Sequence, residues 1–173
     1  MQNGLKEYSM GENRDIRVLL IDDEQNLLEY LAKRLLREGF TVKVAFSGEE
    51  ALQVVAEEDF DVAVVDLKMP GMNGIETQRR LKELQPNLQC IVLTGHGGIE
   101  SALESGQEEA YNYLLKPIEF ESLMQTIRDA YQYKMKLEKS GSSGKRKSGP
   151  DSKESGMRRV IHKLRKLYGV DHG

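Results

Sequence analysis

The sequence predicts an α/β protein: a doubly wound sheet of five parallel strands covered by helices on both faces, followed by a flexible C-terminal tail. Three observations predict it. Short aliphatic and β-branched runs recur along the chain, segments of helical periodicity separate them, and three of the runs end on charged residues. Ile16-Arg17-Val18-Leu19-Leu20-Ile21 runs into Asp22-Asp23, Val62-Ala63-Val64-Val65 into Asp66, and Tyr113-Leu114-Leu115 into Lys116-Pro117. Continuous apolar runs of this length read as strands buried on both faces, which is the signature of a parallel sheet.

The elements follow in order. After the first strand, Leu27, Leu28, Leu31, Leu35 and Leu36 keep helical spacing, and Gly39 is placed to end that helix. Thr41-Val42-Lys43-Val44-Ala45-Phe46 alternates as a second strand. Ser47 is placed to cap a second helix carrying Ala51, Leu52, Val55 and Ala56, with Glu49 and Glu50 in its first turn. The Val62–Val65 strand leads through Lys68-Met69-Pro70-Gly71-Met72-Asn73-Gly74 to a third helix with Ile75, Leu81 and Leu84, ending near Pro86. Cys90–Leu93 is a fourth strand, followed by Thr94-Gly95-His96-Gly97-Gly98 and a helix from about Ile99. That helix is the weak member, because Gly106 sits in its apolar stripe at a cost of about 1 kcal/mol relative to alanine. Tyr111–Leu115 is the fifth strand, and the last helix carries Phe120, Leu123, Met124, Ile127 and Tyr131.

Composition bounds the rest. The chain has 173 residues, of which 39% are hydrophobic, slightly few for a fully packed globule. No apolar stretch approaches the roughly 20 residues of a membrane helix, and residues 1–13 lack the apolar core of a secretory signal. A single cysteine excludes an intrachain disulfide and suits a reducing cytoplasm; Cys90 reads as a small buried hydrophobe. The net charge of −3 conceals a division: residues 1–133 carry 13 basic and 24 acidic side chains, net −11, and residues 134–173 carry 12 and 4, net +8. Four regions are expected: a disordered N-terminus over 1–13, a globular domain over 14–138, a flexible linker over 139–156, and a basic amphipathic tail over 157–173.

Polar groups at the carboxyl ends of parallel strands converge in one crevice. Asp22, Asp23, Asp66 and Lys116 would meet there, and three carboxylates cannot all stay ionised within a few ångströms without a compensating cation. Alone, an Asp pair after a strand reads as a helix cap, Asp66 as a turn residue and Lys116 as a solvated strand end. Their coincidence at the ends of three β-α units favours a site for a divalent cation and a phosphoryl group.

The ordered set Asp22-Asp23-Glu24, Asp66-Leu67-Lys68-Met69-Pro70-Gly71-Met72-Asn73-Gly74, Thr94-Gly95 and Tyr113-Leu114-Leu115-Lys116-Pro117 resembles the receiver domain of two-component response regulators. The likeness covers about residues 14–135. It implies the flavodoxin-like receiver fold with strand order 2-1-3-4-5. It implies that Asp66 is the phosphoaccepting nucleophile, and that Asp23 and Asp66 bind Mg²⁺ directly, with Asp22 acting through water and Lys68 through its carbonyl. Lys116 would neutralise charge on the phosphoryl group. Thr94 and Tyr113 would form the switch, the Thr94 hydroxyl donating to a phosphoryl oxygen and Tyr113 changing rotamer into the vacated space. Lys68 and His96 sit where the lifetime of the acyl phosphate would be set, although His96 by itself reads as a surface loop residue. The implied partners are a sensor histidine kinase or phosphotransfer protein and a downstream protein target, with the domain a monomer or weak dimer.

The tail leads to competing expectations. It is too short for a further folded domain, so a chemotaxis-type stand-alone receiver is expected, whose own chemistry is limited to self-phosphorylation and autodephosphorylation. Residues 157–168, with Val160, Ile161, Leu164, Leu167 and Tyr168 among Arg158, Arg159, Lys163, Arg165 and Lys166, read as a charged tail with some helical tendency, as a segment docking on the acidic body or on a partner protein, or as a contact for DNA or an anionic membrane. An enzymatic alternative is a phosphatase of the haloacid dehalogenase type. That family places Asp-x-Asp after its first strand, where this chain has Asp22-Asp23-Glu24-Gln25.

Overall fold

The computed structural model describes residues 16–95 and 110–141. The expectations for residues 1–13, for His96 and the helix from about Ile99, and for residues 142–173 lie outside the described residues. Five parallel strands form one sheet: β1 (Arg17–Ile21), β2 (Thr41–Ala45), β3 (Val62–Asp66), β4 (Gln89–Thr94) and β5 (Asn112–Leu115), in the order β2-β1-β3-β4-β5. This is the predicted order. β3 and β4 are buried at every position, which is why their sequences are continuous apolar runs, whereas the edge strand β2 alternates.

Alternate residues of the central strands feed two main cores. Val18, Leu20, Val62, Val64, Ile91 and Leu93 face α1 (Gln25–Arg37) and α4 (Phe120–Gly141). Leu19, Ile21, Ala63, Val65 and Cys90 face α2 (Gly48–Glu57) and α3 (Gly74–Leu84). Cys90 is fully buried, as its apolar surroundings predicted. With both faces covered, the strand ends are left to carry polar groups.

Local signals set three of the helix ends. Gly39 adopts φ +91° just past α1, and the Phe40 N–H donates to the Leu35 carbonyl (3.1 Å). The Ser47 hydroxyl accepts from the Glu50 N–H (3.1 Å) at the start of α2. Asn73 caps α3 in the same way, accepting from the Glu76 N–H (2.9 Å). Three apolar positions depart from expectation: Leu36 and Leu84 are 54% and 51% exposed, and Ala56 is exposed. Each lies in the last turn of a helix whose buried stripe is already filled, by Leu35, Leu81 and Val55 respectively. α4 runs to Gly141, so Lys139, Ser140 and Gly141 are helical where linker was expected.

Long-range polar contacts close the edge opposite the strand carboxyl ends. The Gln85 side chain accepts from the Phe60 N–H (3.0 Å) and donates to the Val55 and Glu58 carbonyls (2.9 and 2.8 Å), satisfying the last turn of α2. Lys134 of α4 pairs with Asp61 (2.7 Å), whose other oxygen accepts from the Arg17 N–H (2.8 Å). Among the described residues, no helix is long and apolar enough to cross a membrane.

Gly74 marks a close backbone approach near the site: a Cβ there would lie 2.2 Å from the Asp66 carbonyl oxygen and 2.7 Å from Leu67 Cα. Gly74→Ala is therefore expected to lower stability by about 1–3 kcal/mol despite alanine's better helix propensity, read as a lower urea midpoint at unchanged slope.

Candidate functional site

Strand register assembles the site. Ile21 pairs with Val65 across β1 and β3, so the next residues, Asp22 and Asp66, emerge side by side. Asp66 pairs with Leu93, so Thr94 ends β4 one step further on, and the Lys116 N–H donates to the Thr94 carbonyl (2.8 Å) just beyond β5. The Lys116-Pro117 peptide is cis. Asp22, Asp23 and Asp66 each offer a carboxylate oxygen within 4.8 Å of the others.

The four charged groups are not equivalent. Asp22 is 1% exposed and both of its oxygens are engaged: Oδ1 accepts from the Glu24 N–H (2.9 Å) and Oδ2 from Lys116 Nζ (2.8 Å). Lys116 Nζ also lies 3.1 Å from Asp66 Oδ1. Asp66 is buried, whereas Asp23 is exposed and opens the cluster to solvent. Burial pushes the Asp66 carboxyl above its ordinary value and the neighbouring Asp22 charge adds to this, against the opposing pull of Lys116. For Lys116, burial lowers the pKa, but the hydrogen bond and charge of Asp22, with those of Asp66, outweigh it and raise it.

One ammonium against three carboxylates leaves negative charge uncompensated. The donor set is all oxygen, one donor is solvent-facing, and the geometry is compact, which fits a small hard cation such as Mg²⁺ that binds through few carboxylates and keeps water. Lys68 is exposed in the loop immediately after β3. Gly71, at φ +74°, bends this loop, and Met69 is buried in the α2–α3 core, so the loop is held against the sheet. Thr94 is 1% exposed and its hydroxyl donates to the Gly95 carbonyl (3.0 Å). Tyr113 is buried against Leu67 and Val92. The roles of Gly74 and Asn73 in shaping the loop gave no signal in the sequence beyond their turn-forming residue types.

Because the Asp66 carboxyl is raised in the fold, the folded chain binds that proton more tightly than the unfolded chain does. The contribution to stability is complete below the ordinary carboxylate value of about 4 and is lost as pH rises through the raised value. In metal-free buffer at neutral pH, Asp66→Asn is thus expected to unfold at a higher temperature than the wild type, the gap narrowing as pH falls towards about 4. Thermal unfolding followed by circular dichroism across this pH range checks it; an asparagine variant no more stable at pH 7 contradicts it.

Comparison with known proteins agrees with this geometry. The family described as the response regulator receiver domain matches residues 18–128. The transcriptional regulatory protein GlrR of Escherichia coli is 36% identical over 120 residues, covering 69% of this chain but 27% of its own length, so the chain spans about a quarter of that relative. A receiver domain from Clostridium thermocellum superposes with a TM-score of 0.66 at 34% identity, covering 70% of this chain and 98% of that one. TrrA, a response regulator from Thermotoga maritima solved in complex with Mg²⁺ and BeF, superposes at 0.60 with 30% identity, covering 66% of this chain and 98% of that one. On fold, strand order and sequence, the chain belongs to the response regulator receiver domain family.

Proposed function

We propose that Asp66 accepts a phosphoryl group from a phosphohistidine on a sensor kinase or phosphotransfer protein, and that the phosphorylated domain signals to a downstream protein. The observation that carries this reading is the placement of Lys116 Nζ between Asp22 Oδ2 (2.8 Å) and Asp66 Oδ1 (3.1 Å), with the exposed Asp23 completing the oxygen cluster. Asp23 and Asp66 would hold Mg²⁺ directly, Asp22 through water and Lys68 through its carbonyl, and the ion would neutralise charge on the phosphoryl oxygens.

The remaining chemistry belongs to the side chains. An Asp66 carboxylate oxygen forms the O–P bond as the P–N bond of the phosphoimidazole breaks, and the imidazole leaves with the electron pair and gains its proton from solvent. An ionised carboxylate needs no general base, so Lys116 contributes charge and orientation rather than proton transfer. Thr94 would donate its hydroxyl to a phosphoryl oxygen, exchanging its present bond to the Gly95 carbonyl, and Tyr113, packed on Leu67 and Val92, would respond to that shift. The Mg²⁺ and BeF bound in TrrA and the regulatory role in the name of GlrR support a signalling phosphoacceptor. A dehalogenase-type phosphatase is disfavoured, because the proposed nucleophile ends β3 rather than β1.

Incubation with acetyl phosphate and Mg²⁺ followed by intact mass is expected to show one added phosphoryl group, absent in Asp66→Asn and absent when EDTA removes the metal. Lys116→Ala is expected to slow acquisition at least about tenfold, as loss of a charge-stabilising donor does elsewhere. Phosphorylation of Asp66→Asn at the wild-type rate would overturn the assignment.

A further inference from the structure

The loop after the nucleophile is tied to a neighbouring helix by a side chain that has no place in the chemistry above. Glu49 stands in the first turn of α2, where an acidic residue would ordinarily serve its own helix. Here one of its oxygens, Oε1, instead accepts from the backbone N–H of Met72 (3.2 Å), 23 residues away. The approach is close on both sides. A Cβ on Gly71 would lie 3.1 Å from Glu49 Oε1, and a Cβ on Gly48 would lie 2.2 Å from Thr77 Oγ1 and 3.1 Å from Met72 Cβ.

From Met72 the constraint runs to the nucleophile in two steps. Asn73, the next residue, caps α3 and its carbonyl accepts from the Thr77 hydroxyl (2.8 Å). Gly74, the one after, donates its N–H to the Leu67 carbonyl (3.0 Å) and lies so close to the Asp66 carbonyl that no side chain fits between them. The far end of the loop therefore stacks on the backbone of Asp66 itself, and the loop between carries Lys68. We propose that Glu49 is a positioning residue for the phosphoacceptor pocket: by holding Met72 it sets the path of residues 67–74, and with it the oxygens offered to a divalent cation. The inference rests on the reading of Asp66 as a Mg²⁺-assisted phosphoacceptor.

Three variants of the full chain test it. Glu49→Ala removes the acceptor, Glu49→Gln keeps an acceptor oxygen without the charge, and Glu57→Ala removes an exposed charge at the other end of α2. Two readouts are independent of phosphorylation: amide hydrogen exchange at Met72 in metal-free protein, and the Mg²⁺ dissociation constant by calorimetry. In Glu49→Ala, Met72 exchange is expected to quicken and the Mg²⁺ dissociation constant to rise about three- to tenfold, the range set by one exposed, charge-assisted hydrogen bond. Phosphorylation by acetyl phosphate should then be slowed at limiting Mg²⁺ and recovered at saturating Mg²⁺. Glu49→Gln should retain most of both properties, and Glu57→Ala should change neither. Unchanged Mg²⁺ affinity in Glu49→Ala overturns the proposal, as does an equal loss in Glu57→Ala or a glutamine variant as impaired as alanine. Wild-type protein that fails to bind Mg²⁺ or accept phosphate would instead sink the proposed function, while Met72 exchange would still report the Glu49 contact.

Discussion

Repulsion among Asp22, Asp23 and Asp66 is the constraint around which the domain is arranged. Two like charges about 4 Å apart repel by roughly 4 kcal/mol at an effective dielectric of about 20, a large fraction of a domain's net stability. Lys116 relieves part of this by contacting Asp22 and Asp66 together, and the Glu24 N–H occupies the other oxygen of Asp22. Burial and the Asp22 charge still hold the Asp66 carboxyl above its ordinary value. The unmet demand is for positive charge near Asp66, and both a divalent cation and the loss of a carboxylate would answer it.

The rest of the fold makes that concentration of charge tolerable. Two apolar cores, one on each face of the sheet, leave the strand ends as the place where polar groups emerge. At the opposite edge, Lys134 with Asp61 and Gln85 with the last turn of α2 satisfy buried polar groups across long sequence separations. The uncompensated negative charge thus lies at one end of the sheet and these paired polar groups at the other.

The loop between β3 and α3 joins the two. Gly74 backs onto the carbonyl of Asp66, Asn73 caps the helix that follows, Met69 is sunk in the core, and Met72 reaches the carboxylate of Glu49. Asp66 must stay in register with Asp22 and Asp23, which follow a separate strand, and such bracing holds it because its own strand ends there. Membership of the receiver family gives this scaffold its context, and the relatives in which such a domain occupies about a quarter of the length are regulators.

The order of amino acids was enough for the alternation of strands and helices, the Gly39 and Ser47 helix ends, and the convergence of Asp22, Asp23, Asp66 and Lys116. These are local signals: hydrophobic period, backbone freedom and charge placed at strand ends. The exposure of Leu36, Ala56 and Leu84, the extension of α4 to Gly141, and the roles of Gln85, Lys134 and Glu49 were decided only by tertiary structure. Leucine spacing cannot say how wide a buried stripe is until a neighbour covers it. A glutamate in a first turn looks the same whether it serves its own helix or one backbone amide 23 residues away, because that choice is made by packing between elements and not by the residues beside it.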